Sequence, residues 1–266
     1  MGEPEAPRVH GPAAISGVAR REKRGATARH VILRPVAAGV VQSARRPARS
    51  DRLFYTGMAV TAALVVLVGF APTYYLRSTV SRGTLPALLQ AHGALFSAWI
   101  VLMVVQATLI ARQRTDVHRA LGWVGAALAA LVATAGVTAG LATARREAAR
   151  AFLTIPMFSM VVFAGLVAAA IVCRRRPQAH KRLMLLATIS ILDAPIARWP
   201  GAPGALGVSL LVDLFVVVAM AYDFLSRRRV HPAYIVGGAI IAGTQALRDV
   251  VGRSDAWQAV ARALIG

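Results

Sequence analysis

From Leu53 onward the chain is a series of apolar stretches, each about 20 residues long, divided by short arginine-rich joints. The stretch Tyr55–Tyr74 (YTGMAVTAALVVLVGFAPTY) carries no charge. As a helix it is long enough to cross a hydrocarbon layer roughly 30 Å thick. A segment this uniformly apolar spans as a helix, because lipid offers no partners to backbone N–H and C=O groups. The pattern predicts an all-α integral membrane protein, a bundle of six or seven helices. The spans fall near residues 53–76, 86–111, 120–143, 152–173, 183–199 and 206–226, with a shorter seventh candidate at 232–247 that His231-Pro232 opens and Arg248-Asp249 stops. The bundle is thus expected over 53–247. A C-terminal tail, 248–266, follows, in which Trp257, Val260, Arg262 and Leu264 have the spacing of a short interfacial helix.

Composition narrows the setting. Hydrophobic residues make up 57% of the chain, too many for one water-soluble core, so lipid must cover much of the surface. Arginine supplies all but two of the 31 basic residues, against 11 acidic ones. In a soluble protein that excess would suggest nucleic acid. Here the charges sit in the joints, where orientation of the spans and contact with anionic lipid explain them, and no nucleic-acid partner is expected. The arginine and alanine bias points to a GC-rich bacterial genome and so to a bacterial inner membrane. The single cysteine, Cys173, has no partner for an internal disulfide.

Orientation follows from counting the joints. With the N-terminus in the cytoplasm, the inner side collects fifteen basic residues: Arg45, Arg46, Arg49, Arg52, the joint of Arg112, Arg114 and Arg119, those of RRRPQAHKR (174–182), and Arg227–Arg229. The outer side receives five, Arg77, Arg82, Arg145, Arg146 and Arg150, with Arg198 just within the membrane edge. The positive-inside rule therefore predicts a cytoplasmic N-terminus. Residues 1–50 are basic, rich in Gly, Pro and Ala, and without a long apolar run, which predicts a disordered tail. Glu3 and Glu5 stand where a secretory signal would carry basic residues.

The polar residues inside spans are the candidates for function. Asp193, Asp213, Gln90 and His92 lie on three helices, and at 1.5 Å per residue all fall roughly 6–11 Å below the outer surface. Arg198 is shallower. A carboxylate at the bilayer centre costs about 2.5–3.5 kcal/mol, so these groups should face inward and find partners. Asp193–Arg198 or Asp213–His92 pairs would fix helix register. Alternatively the residues line an outer-half chamber for a small ligand, a cation or a proton. His92, Trp99 and Gln106 recur every seven residues and form one stripe, while Ser190 and Ser209 lie one turn before Asp193 and Asp213. A His with two Asp also suits zinc, although no HxxxH-type spacing supports it. Within the third span, Gly136 and Gly140 form a GxxxG motif, which permits tight internal packing or a homo-oligomer.

Three other histidines, His118, His180 and His231, mark the cytoplasmic rim. His118 and His180, at one depth on different helices, are what a single b-type haem needs, and this makes a one-haem redox protein the alternative reading. A third reading is a scaffold or assembly factor acting through its basic joints. No Walker A loop, dinucleotide fingerprint, GxSxG or HExxH occurs, and no reaction is indicated. The stretch 90–123 (QAHGALFSAWIVLMVVQATLIARQRTDVHRALGW) and the later His180-Lys181-Arg182-Leu183-Met184 resemble a family of uncharacterised bacterial membrane proteins, a domain of unknown function. The resemblance covers about residues 86–200. It implies that His92, Gln106, His118, Arg119, Gly122, His180 and Arg182 occupy its pattern positions, with Leu183 standing where the pattern has an aromatic. A looser likeness to b-type transmembrane cytochromes rests on the same histidines.

Overall fold

The computed structural model describes Gly2 and residues 49–80, 83–147 and 149–266. The tail expected over 1–50 lies outside these residues, except for Gly2 and for Arg49 and Ser50, which already belong to the first helix. Among the described residues every regular element is helical. The order is α1 (Arg49–Phe70), α2 (Ala87–Ala111), α3 (Thr115–Glu147), α4 (Thr154–Val172), α5 (Pro177–Ile189), α6 (Asp193–Ile196), α7 (Gly204–Arg227), α8 (Pro232–Arg253) and α9 (Asp255–Ile265). Five helical stretches are long and apolar enough to cross a membrane: Arg49–Tyr75, Ala87–Ala111, Thr115–Glu147, Thr154–Arg175 and Gly204–Arg227. Leu64, Val161, Leu206, Leu210 and Val217 are exposed on them, an apolar outer surface suited to lipid. α1 widens into a π turn, Ala71–Tyr75, where Pro72 withholds a backbone donor.

Two elements depart from the spans read in the sequence, each for a physical reason. The stretch expected at 183–199 is not one helix. It starts at Pro177, stops at Ile189, turns through Ser190–Leu192 and resumes as the four-residue α6. This broken helix is the centre of the bundle. Leu185 through Asp193 are all buried, ringed by α1, α4, α7 and α8. Neighbouring helices shield the break, the condition under which irregular backbone is tolerated at membrane depth. The close approach that closes this shield explains Gly69 of α1, where a Cβ would overlap the backbone of Pro195.

The second departure is α8. It passes through Arg248-Asp249, where the sequence suggested a stop at 247, and ends at Arg253. Arg248 does not stop the helix because its charge is buried and paired. α8 begins beside Asp223 of α7 and ends with Gly252 against Ala151 and Thr154 at the start of α4. It therefore runs the length of the bundle. α9 follows at that far end, with Ala261 buried against Ala144 and Leu153 and Trp257 Nε1 donating to Arg150 O at 3.2 Å. Gly136 and Gly140 face α4 of the same chain, against Met160 and Pro156, so this motif serves internal packing.

Candidate functional site

Two buried polar clusters occupy opposite ends of α5–α6. At the near end, where α1 begins, Asp51 accepts from Lys181 Nζ at 2.6 Å, from Arg227 Nη2 at 2.6 and 2.7 Å, and from Tyr222 OH at 2.7 Å. Asp223 accepts from Arg182 Nε at 3.0 Å and also from Arg182 Nη2, from Arg227 Nη1 at 2.9 Å and from the His231 N–H at 2.9 Å. Arg182 also donates to Gln178 O and Oε1 and lies over the Tyr234 ring. The starts of α1, α5 and α8 and the end of α7 are thereby tied together. His231 caps α8: its Nδ1 accepts from the Ala233 N–H at 3.1 Å. Burial, and after it the Arg182 charge, holds its imidazole below the usual histidine range. Of the basic joints, Lys181, Arg182 and Arg227 are engaged in this cluster, while Arg174–Arg176, Arg228 and Arg229 remain exposed.

At the far end the break in α5–α6 aims Asp193 into the bundle. Its Oδ1 accepts from the Ala194 N–H at 2.7 Å. Its Oδ2 accepts from Ser159 Oγ of α4 at 3.0 Å and from Arg248 Nη1 of α8 at 3.0 Å. Arg248 Nη2 donates to Ser209 Oγ of α7 at 3.3 Å. Beside this pair lies a cavity of about 20 Å³, whose polar lining is Ser159, Ser190, Asp193, Thr244, Gln245 and Arg248. That volume, with this many polar partners, suits a single water. Gln245 of the cavity wall also lies close enough to Asp213 of α7 to act on its carboxylate, without a hydrogen bond joining them among the described residues.

The sequence candidates are thus only partly gathered. Asp193 lines the cavity, whereas Asp213 does not, though it lies near Gln245 of the cavity wall. Arg198 is not the partner of Asp193. It is exposed, donates to Ala194 O in its own turn at 2.6 Å and lies 5.0 Å over the Phe70 ring. Gln90 is exposed and donates to Leu85 O at 2.7 Å. His92 packs on Phe96 with ring centres 4.3 Å apart and does not line the cavity, so the chamber does not join α2 to Asp193. Among the described residues no group of three His, Cys, Asp or Glu is placed to hold a metal, and the zinc set of His92, Asp193 and Asp213 is not assembled. His118 and His180 do meet, with ring centres 6.3 Å apart.

The sequence reading missed Arg248, Ser159 and Gln245. Arg248 looked like a helix stop, and nothing local in Ser159 or Gln245 marks a partner on another helix. Comparison with family models, curated proteins and solved structures returns no match to this chain.

Proposed function

We propose that this chain is a bacterial inner-membrane protein with seven crossings, its N-terminus cytoplasmic, that handles protons at Asp193 in its outer half. The five apolar helices supply five crossings. α5–α6, broken towards its outer end, and α8 supply two more, α8 being long enough since 22 residues rise about 33 Å. In this frame the near-end cluster is cytoplasmic and α9 lies at the outer surface.

The observation that carries the reading is the Asp193–Arg248 pair closed on a cavity of one-water size. The size argues against a bulky solute. The pair is neutral overall, which argues against a resident cation. A proton needs neither space nor a net charge. When Arg248 withdraws, Asp193 accepts a proton that enters from bulk through a water in the cavity, the water being reprotonated in turn. It releases the proton when the pair re-forms. Gln245 lies in the cavity wall with Asp213 nearby, a second carboxylate next to the site. Discontinuous helices at membrane depth are also where transporters place substrate and ion sites.

The test is proton flux into proteoliposomes under an imposed pH gradient. Asp193→Asn is expected to remove the flux while the protein still inserts. Unchanged flux in Asp193→Asn, together with a gain in stability for Asp193→Leu/Arg248→Leu, would reduce the pair to a register device.

A further inference from the structure

Near the cytoplasmic rim of the proposed topology, His118 opens α3 and His180 lies in the first turn of α5, brought together by the α2–α3 and α4–α5 hairpins. Their ring centres are 6.3 Å apart and their planes cross at 85°. The separation is too long for a direct contact between the two rings and leaves room for one bridging atom or molecule. A direct N–H···N bond of about 2.9 Å between nitrogens would bring the ring centres to about 5.2 Å, and no hydrogen bond joins them among the described residues. Two imidazoles on a tetrahedral ion, with metal–nitrogen bonds of about 2.0–2.1 Å, also come to about 5.2 Å; bound trans on one metal they stand about 6.3 Å apart.

The surroundings suit ligands. His180 Nδ1 lies 2.8 Å from Ala170 O. A carbonyl only accepts, so Nδ1 carries the proton and Nε2 keeps its lone pair, the arrangement that orients metal-bound histidines. His118 Nδ1 is buried without a partner among the described residues. Gln106 of α2 ties into the same place: its Nε2 donates to His118 O at 3.3 Å, and its Oε1 is buried and unpartnered among the described residues. We propose that His118 and His180 ligate one transition-metal centre from opposite sides, independently of the Asp193 site. The pair supplies two axial nitrogens. The equatorial ligands then come with the metal, as in an iron tetrapyrrole, or from Gln106 and water around a bare ion.

The experiment uses the full-length protein purified in detergent from haem-replete cells. One arm reads the absorption spectrum, oxidised and reduced, and the other titrates metal-free protein with Ni²⁺. A Soret band or one tightly bound Ni²⁺ per chain, lost at least tenfold in both His118→Ala and His180→Ala and kept in His92→Ala, supports the centre; the arm that responds identifies its source. Where the alanine variants do not fold, His180→Met decides: a retained but altered spectrum or potential supports axial ligation, because a structural histidine would not move it. A colourless protein that binds no Ni²⁺, or metal binding indifferent to both histidines, overturns the proposal and leaves a water bridge between the rings.

Discussion

Arg182 and Asp223 face one another across 41 residues of chain, with neither side chain exposed. The pair holds α5 to α7 at the end of the bundle where α1 starts. Its two ends were read in the sequence as a joint charge and as nothing at all. Removing Asp223 leaves Arg182 buried without its counter-charge, which costs about 3–5 kcal/mol, and removing Arg182 leaves Asp223 with Arg227 alone, whereas replacing both by apolar residues of similar volume is often neutral. Asp223→Ala and Arg182→Ala are each expected to destabilise the protein strongly, and Arg182→Met/Asp223→Leu to recover most of the loss. Thermal unfolding in detergent, run as a double-mutant cycle, measures this.

Close helix packing yields an ordered series. A Cβ at Gly69 would overlap the Pro195 backbone, which cannot move without shifting α6. At Gly140 it would lie 2.7 Å from the Pro156 ring, which is stiff, and at Gly136 it would meet the flexible end of Met160. Overpacking costs typically about 1–3 kcal/mol, offset in a helix by about 1 kcal/mol of propensity gained on replacing Gly with Ala. Stability should therefore fall most in Gly69→Ala, less in Gly140→Ala and least in Gly136→Ala. Size-exclusion chromatography should show the same oligomeric state for all three, since Gly136 and Gly140 face α4 of their own chain.

The apolar helices were legible because each span carries its own evidence: length, lack of charge and flanking arginines. What was not legible was pairing between distant residues. Arg248 reads as a stop when taken alone, and only Asp193, 55 residues earlier, makes it compatible with a continuing helix. Asp51 sits in an arginine-rich joint and gives no sign that Lys181 and Arg227 close on it. Some of this pairing is marked by local spacing. Asp223 and Arg227 have the i,i+4 spacing of a helical ion pair. Asp193-Ala194-Pro195 marks a helix restart, since Pro favours the first turn of a helix and disrupts an interior.

His231 gives a pH dependence with a defined sign. Its imidazole titrates below the ordinary 6.5 in the folded chain, because of burial first and the Arg182 charge second. The unfolded chain therefore binds the proton more readily, and the stability His231 confers is present above pH 6.5 and lost as pH falls toward the folded value. Protonation of Nδ1 would also end its role as acceptor for the Ala233 N–H. Unfolding temperature should decline between pH 7.5 and 5.5, and His231→Asn, which keeps an N-cap acceptor without titrating, should flatten that decline. An equal decline in the variant would assign it to other groups.

The proposed seventh crossing depends on Asp193 for a reason that can be tested apart from any activity. α8 carries Arg248 within its length, and an unpaired arginine at the helix centre costs about 2.5–3.5 kcal/mol on insertion scales. Paired with Asp193 and bonded to Ser209, that charge is neutralised and α8 can continue to Arg253. The proposed topology, seven crossings from a cytoplasmic N-terminus, would put α9 outside. In a Cys173→Ser background, Gly266→Cys should be labelled by an impermeant maleimide added to intact spheroplasts. Adding Asp193→Leu strands the Arg248 charge and should reduce outside labelling, and Arg248→Leu on top of it should restore it. Labelling of Gly266→Cys only after the membrane is opened would place α9 inside and make α8 a helix that packs on the bundle without crossing.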